Sequence, residues 1–284
     1  MNWTTALYEY DGSFDGFLCC VFDSYIRRER PLAILCGAQE QTSLETIHSV
    51  ETQPAHARRV AGSIQKCAPA ALSFLRRAFL TCLPEKELLL YRLICRLYDE
   101  GPAFLHDPTD PTMYPICRAL RHLSGELEKL RGFVRFSAFG GIYAAEIAPK
   151  NRVLPALRPH FCARFADQPF LIYDRTHKEA LLHAGGRWTI VPMEQFSMAL
   201  PDETEARYRK LWKTFFDTVA IQSRRNARCQ RSHLPLRYRA DMTEFQDEDY
   251  FAPAEAPQPA GAAQPSVGGA DGLPEFFQRP LLQP

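Results

Sequence analysis

The sequence has no run of 18 consecutive apolar residues, and so no segment that reads as a membrane-spanning helix. Its first twenty residues contain no Lys or Arg but do contain Glu9, Asp11 and Asp15, the wrong opening for a secretory signal peptide. A cytoplasmic chain with no membrane partner is therefore expected. The nine cysteines are odd in number and include no C-x-x-C pair, which speaks against a disulfide framework and against a zinc or iron–sulfur site. Most of them read as small apolar fillers. Also missing are G-x-G-x-x-G, G-x-x-x-x-G-K, H-E-x-x-H and G-x-S-x-G, so no metal or cofactor is expected. What is present suffices for folding without staples. The chain has 284 residues, 46% of them apolar, and one of this length typically buries roughly 75% of its unfolded surface.

The formal net charge of +1 hides an uneven distribution. From Glu244 to Pro284 there are seven acids and one base, Arg279, which leaves a net +7 on residues 1–243. A basic body predicts polyanionic partners where a neutral one predicts nothing. The stretch Ala252 to Gly272 is Pro, Ala, Gly and Gln with little to bury, so residues 244–284 are expected to be a disordered acidic tail. Near its end, Leu273, Phe276, Phe277, Leu281 and Leu282 crowd together, either as a frayed end or as a short docking motif on a tether.

Along residues 1–243, expected to form a single α+β domain, the period of the apolar residues changes. Ala6 to Tyr10 reads as a strand, followed by the Asp11-Gly12 turn and a Ser13 helix cap. Phe14, Phe17, Leu18, Val21, Phe22 and Tyr25 then mark one face of a helix, and Leu32 to Leu35 is a weaker strand. The helical part, 11–131, continues through pieces near Ala57 to Lys66, Pro69 to Leu80, Pro84 to Asp99 and Met113 to Leu130, with Pro69 and Pro84 suited to first-turn positions. Glu87 to Tyr98 is apolar nearly all round and should be the most buried helix. In the β-rich part, 132–192, Phe133 to Phe136, Ile142 to Ile147, Phe170 to Asp174, Glu179 to His183 and Arg187 to Val191 read as strands of mainly antiparallel hairpins. One helix, Leu154 to Phe165, interrupts them. Residues 203–240 hold an amphipathic helix with the stripe Tyr208, Leu211, Trp212, Phe215, Phe216 and Val219, and then an arginine-rich segment.

That segment carries the strongest chemical signal. Between Thr218 and Ala240 there are six arginines and no acid. Arginine forks match phosphate geometry, and Arg224, Arg225, Arg228, Arg231, Arg237 and Arg239 are interleaved with Asn226, Gln230, His233 and Tyr238, groups that hydrogen-bond or stack on nucleic acid. The candidate nucleic-acid contacts are Arg224, Arg225, Asn226, Arg228, Gln230, Arg231, Arg237 and Tyr238; the plain alternative is a solvated cationic face. His160 and His177 read as the most exposed histidines. Asp11 and Asp15 suit helix N-terminal partners, and Asp167 and Asp174 flank one strand.

Taken in order, several blocks resemble a bacterial family of uncharacterised DNA metabolism or DNA repair proteins. They are Y-E-Y-D-G-S-F-D-G-F-L (Tyr8 to Leu18), F-D-S-Y (Phe22 to Tyr25), L-L-L-Y-R-L-I (Leu88 to Ile94), L-R-G-F-V-R-F (Leu130 to Phe136) and Y-A-A-E-I (Tyr143 to Ile147). The series continues with N-R-V-L-P-A-L-R-P-H-F-C-A-R-F (Asn151 to Phe165), G-G-R-W (Gly185 to Trp188), L-W-K-T-F-F-D-T-V-A-I (Leu211 to Ile221) and R-N-A-R-C-Q-R-S-H-L-P-L-R-Y (Arg225 to Tyr238). Leu234 and Arg239 stand where the family favours Met and Trp. The resemblance implies company with a radical S-adenosylmethionine protein of DNA modification or repair and occasional fusion to uracil-DNA-glycosylase-like domains. It carries over no catalytic residue.

Three functional readings follow. The first is a DNA-binding accessory factor acting with the radical S-adenosylmethionine partner. The second is a glycosylase-like or nuclease-like enzyme, which can work with one carboxylate and a stacking pocket; its candidates are Tyr8, Asp11, Asp23 and His160. The third is a protein-interaction scaffold that binds no nucleic acid.

Overall fold

The computed structural model describes residues 3–37, 46–139, 141–196, 203–219 and 226–245. The chain divides into two compact units, Met1–Gly125 and Glu126–Pro284. Arg224, Arg225 and residues 246–284, the bulk of the acidic tail, lie outside the described residues.

The first unit opens with β1 (Thr4–Tyr10), α1 (Phe14–Arg27), β2 (Glu29–Cys36) and β3 (Ile47–Ser49), followed by α2 (Pro54–Cys67), α3 (Ala71–Phe79), α4 (Lys86–Glu100), a 3-10 turn at Ala103–His106 and α5 (Met113–Phe133), within which the division falls. The Ser13 side chain accepts from the Gly16 amide at 2.8 Å and so starts α1. Arg28, left-handed at φ 59°, ends it and turns the chain directly into β2. The three strands form a sheet in the order β2-β1-β3, parallel throughout. This parallel sheet is additional to the mainly antiparallel one expected from residues 132–192. Its signal was weak because β2 begins with Glu29, Arg30 and Pro31, and Pro31 sits on an edge strand at a register shift, where its missing N–H is tolerated. Pro54 is the proline at the helix start, whereas Pro69 and Pro84 precede the caps Ala70 and Glu85 of α3 and α4. The core gathers Tyr8, Phe17, Leu18, Ile64, Leu75, Leu93, Ile94 and Leu97. Helix α4 is strongly buried as expected, but α1 buries at least as much, because Cys19 and Cys20 beside its apolar stripe are also covered. Those two are the only buried cysteines. Cys36, Cys67, Cys82 and Cys229 are exposed, which corrects the reading of most cysteines as filler.

In the second unit β4 (Ser137–Phe139), β5 (Ile142–Ile147), α6 (Leu154–Arg164), β6 (Phe170–Asp174), β7 (Glu179–Ala184) and β8 (Arg187–Pro192) make a sheet in chain order. Three of its four pairings are antiparallel. The fourth, β5 with β6, is parallel, because α6 carries the chain back across the sheet. Every residue of β6 is buried. Gly185 and Gly186, both at positive φ, close the β7–β8 hairpin as the G-G pair predicts. Phe133 to Phe136 is not a strand: α5 runs on to Phe133 and β4 starts only at Ser137. Helices α7 (Glu203–Val219), α8 (Ala227–His233) and α9 (Leu236–Arg239) and a 3-10 turn at Thr243–Phe245 complete the unit. The fold is α+β, and no helix among the described residues is long and apolar enough to cross a membrane.

Candidate nucleic-acid interface

The arginine-rich segment divides by role. On α8, Arg228, Gln230 and Arg231 are exposed to solvent. Asn226 caps that helix by accepting from the Cys229 amide at 3.0 Å. Arg237 turns inward and donates to the Glu126 carboxylate at 2.9 Å, and Tyr238 is buried with its ring 5.6 Å from that of Phe133. Glu126 is the anchor of this corner. It also accepts from the Lys150 and Asn151 amides at 3.1 and 2.9 Å and from the Asn151 side chain at 2.6 Å. Burial works against its charge, but these donors and Arg237 hold its carboxyl below the usual carboxylate range. Arg237, Tyr238 and Asn226 are thus engaged in holding the fold. Arg239 extends over the Phe245 ring at 4.9 Å with its Nε buried and without a hydrogen-bond partner.

A second arginine cluster, not singled out from the sequence, surrounds a cleft of about 550 Å³, within the size range of small-ligand sites. Arg131 in the last turn of α5, Arg135 just past it, Arg164 at the end of α6 and Arg209 on α7 line it, together with Phe136, Phe161, Phe165, Tyr208 and Trp212. Three of these rings are in mutual contact through Phe136. Phe136 lies 5.5 Å from Phe161 and 4.7 Å from Phe165, and the Arg135 guanidinium sits 5.5 Å over the Trp212 ring. Arg135 is held in a two-pronged pair with Glu244, at 2.7 and 3.1 Å. Burial works to raise the Glu244 pKa, but Arg135, the backbone and Trp212 together outweigh it and the group lies below its ordinary value. Glu244, expected to open the tail, therefore belongs to the folded unit, and the charge of residues 1–245 is +6. Arg209 bonds Glu205 at 2.9 Å and Ser137 at 2.6 Å, and Arg131 bonds Glu128 at 2.6 Å. Arg164 is exposed and, among the described residues, has no hydrogen bond or ion pair. The one carboxylate in the lining, Glu205, has both oxygens occupied, by Arg209 and by the Ala138 amide at 3.2 Å, and so is poorly placed to act as a base.

The residues considered for catalysis are dispersed. Tyr8, Asp11 and Asp23 belong to the first unit and His160 to the second. Asp11 accepts from the Ser13 amide at 2.9 Å and the Thr52 hydroxyl at 2.8 Å; despite an upward push from partial burial these bonds hold its carboxyl below the ordinary range. Asp23 faces Arg27 one helical turn away at 3.7 Å. His160 is not exposed as expected: its Nε2 is buried and unpartnered, with its ring edge-on to Phe161. His177 is partly buried and bonded to Asp174, which organises the turn after β6 by accepting from the Thr176 and His177 amides. Asp174 is the last residue of β6 and Asp167 precedes its first, so the two sit at opposite ends of the strand. Tyr8 has company that sequence reading missed. Its hydroxyl donates to Glu29 at 2.8 Å, and Glu29 also meets His48 Nε2 at 3.2 Å, so one side chain from each strand of the parallel sheet joins a single polar cluster. Burial first, and Glu29 second, push the Tyr8 pKa far upward, so the phenol is a held proton and not an accessible nucleophile. Among the described residues no group of His, Cys, Asp and Glu is arranged to hold a metal.

No curated protein and no solved structure matches the chain. The family model for the domain of unknown function DUF4130 does, over residues 84–244. That span takes in α4, α5, the whole second sheet, the arginine–aromatic cleft and the Glu126 anchor. More than half of the sequence is covered, and the chain is a member of the DUF4130 family.

Proposed function

We propose that the second unit binds DNA as an accessory factor in DNA metabolism or repair, taking an unstacked nucleotide into the arginine–aromatic cleft. The observation that carries this reading is the pairing, in one cleft, of four arginines with a wall of five aromatic rings. Guanidinium groups suit phosphate, and any base has a face that stacks on an aromatic ring. The +6 charge of residues 1–245 and the exposed Arg228 and Arg231 of α8 add a non-specific attraction for the backbone. Binding is favoured over catalysis because Glu205 is already engaged on both oxygens. The family resemblance supplies the remainder of the proposal, a cytoplasmic role beside a radical S-adenosylmethionine enzyme that performs the chemistry.

Fluorescence anisotropy of the full chain with single-stranded and duplex oligonucleotides across a salt series tests this. Affinity for single strands should fall with a log–log slope of about −0.7 per phosphate contacted. Arg164→Ala should reduce that slope by about one contact, and Trp212→Ala should cost about 1–3 kcal/mol of stacking. Salt-independent affinity, or both variants binding like the parent, removes the reading.

A further inference from the structure

Helix α7 is wider in its apolar content than the unit it sits on can cover. One stripe is anchored: Glu205 and Arg209 bond to β4, Trp212 lies under Arg135, and Phe216 meets Phe245 edge-on at 5.4 Å. The adjacent stripe, Tyr208, Leu211, Phe215 and Val219, repeats at helical spacing and is 57–66% exposed, and no residue of the helix is fully buried. Four large apolar side chains in a row on a soluble surface mark a contact surface. We propose that the occupant is this chain's own segment Leu273–Leu282, which docks in cis along the exposed stripe of α7.

Three observations select that occupant. The segment is apolar in the same measure, with Leu273, Phe276, Phe277, Leu281 and Leu282 inside ten residues. Charge is complementary: residues 246–284 carry six acids and one base, while Arg207, Lys210 and Lys213 flank the stripe. The tether also fits. Phe245, where it starts, already touches α7 through Phe216, and the 27 residues 246–272 have a root-mean-square reach of about 30 Å. That matches a helix of 17 residues, about 25 Å long, so the local concentration of the segment at the helix is of millimolar order.

The test is hydrogen exchange on the full chain. With Phe276→Ser and Phe277→Ser together, amides of 208–219 should exchange about tenfold faster while those of β6 stay unchanged. Leu211→Ser with Phe215→Ser, at positions exposed in the folded unit, should in turn raise exchange in 276–282. In the parent, protection of α7 should be the same at low and high micromolar concentration. Unchanged exchange in either double variant overturns the proposal, and so does protection that grows with concentration, which assigns the stripe to a second copy.

Discussion

Replacing Glu126 with Gln tests the reasoning about the arginine-rich segment most directly. The carboxylate is almost fully buried and receives four donors within 3.1 Å: the Lys150 amide, the Asn151 amide and side chain, and Arg237. A glutamine keeps one acceptor oxygen for the Asn151 side of the cluster, but sets its NH2 against the Lys150 N–H and the Arg237 guanidinium. Hydrogen bonds to a charged group are worth about 1.5–3 kcal/mol, and buried pairs broken on one side cost about 3–5, so a loss of about 3 kcal/mol is expected. Arg237→Ala should cost less. Its side chain is 37% exposed, which screens the attraction, so about 1 kcal/mol is expected, with a coupling of similar size in the double-mutant cycle. The pH dependence has a definite sign. Since the folded Glu126 pKa is lowered, its contribution is complete above the unfolded carboxylate value and disappears as pH falls through the folded one. The acid limb of stability below pH about 4 should therefore flatten in the Gln variant. Urea unfolding of the full chain, followed by circular dichroism and by exchange of the Asn151 amide, measures all of this. A Glu126→Gln variant within about 1 kcal/mol of the parent, or an Arg237→Ala variant with no measurable cost, would refute the assignment of Arg237 to the fold.

Tyr8, Tyr10, Tyr25 and Tyr91, all in the first unit, are pushed above the ordinary tyrosine value, chiefly by burial. The folded unit holds protons that the unfolded chain releases, so its stability is complete below pH about 10 and falls as pH rises beyond; exchange profiles from neutral to strongly alkaline pH should show this unit opening before the second, where Tyr238 alone among the described tyrosines has such a raised value. Gly16→Ala places a Cβ 2.3 Å from Asp11 Oδ1 and 2.6 Å from Thr52 Oγ1. It should destabilise the first unit by about 1–3 kcal/mol through the lost cap and local strain, measurable by thermal unfolding, and a neutral result would mean that the Asp11–Thr52 clasp matters little. Charge reversal of Arg228 and Arg231, both exposed on α8, should leave stability within about 0.5 kcal/mol while weakening oligonucleotide binding most at low salt; unaltered binding would limit the interface to the cleft.

The parts of the fold that could be read in advance are those where one period governs a whole element. Phe14 to Tyr25 and Met113 to Leu130 present apolar residues every three or four positions, and both are helices within a few residues of the expected ends. Phe170 to Asp174 and Ile142 to Ile147 are short, mostly apolar runs next to turn signals, and both are strands at the expected bounds. The misreadings share a cause. Val134 and Phe136 alternate as a strand would, but that alternation serves the cleft, where Phe136 packs at a tilt against Phe165 after α5 has already ended at Phe133. β3 is three residues long, Ile47–Ser49, too short for any period to register, yet it completes the parallel sheet and delivers His48 to Glu29.

For the site, residue type was informative but allegiance was not. Six arginines without an acid nearby in sequence look free for phosphate, yet the acid that claims Arg237 lies 111 residues away on α5, and nothing within the segment points to Glu126. The converse holds in the cleft. Arg131, Arg135, Arg164 and Arg209 are spread over almost 80 positions, so no single window of sequence shows them as one cluster, but the ends of α5 and α6 and the first turns of α7 bring them together. Helix ends are where such gathering is expected, since a cation in the last turn is favoured by the helix dipole whatever else it does. Arg131 and Arg164 both occupy such positions. Two helices that end at one place thus supply a cationic rim as a by-product of their own stability, and Arg164, exposed and unpaired among the described residues, is where that by-product is most open to a phosphate.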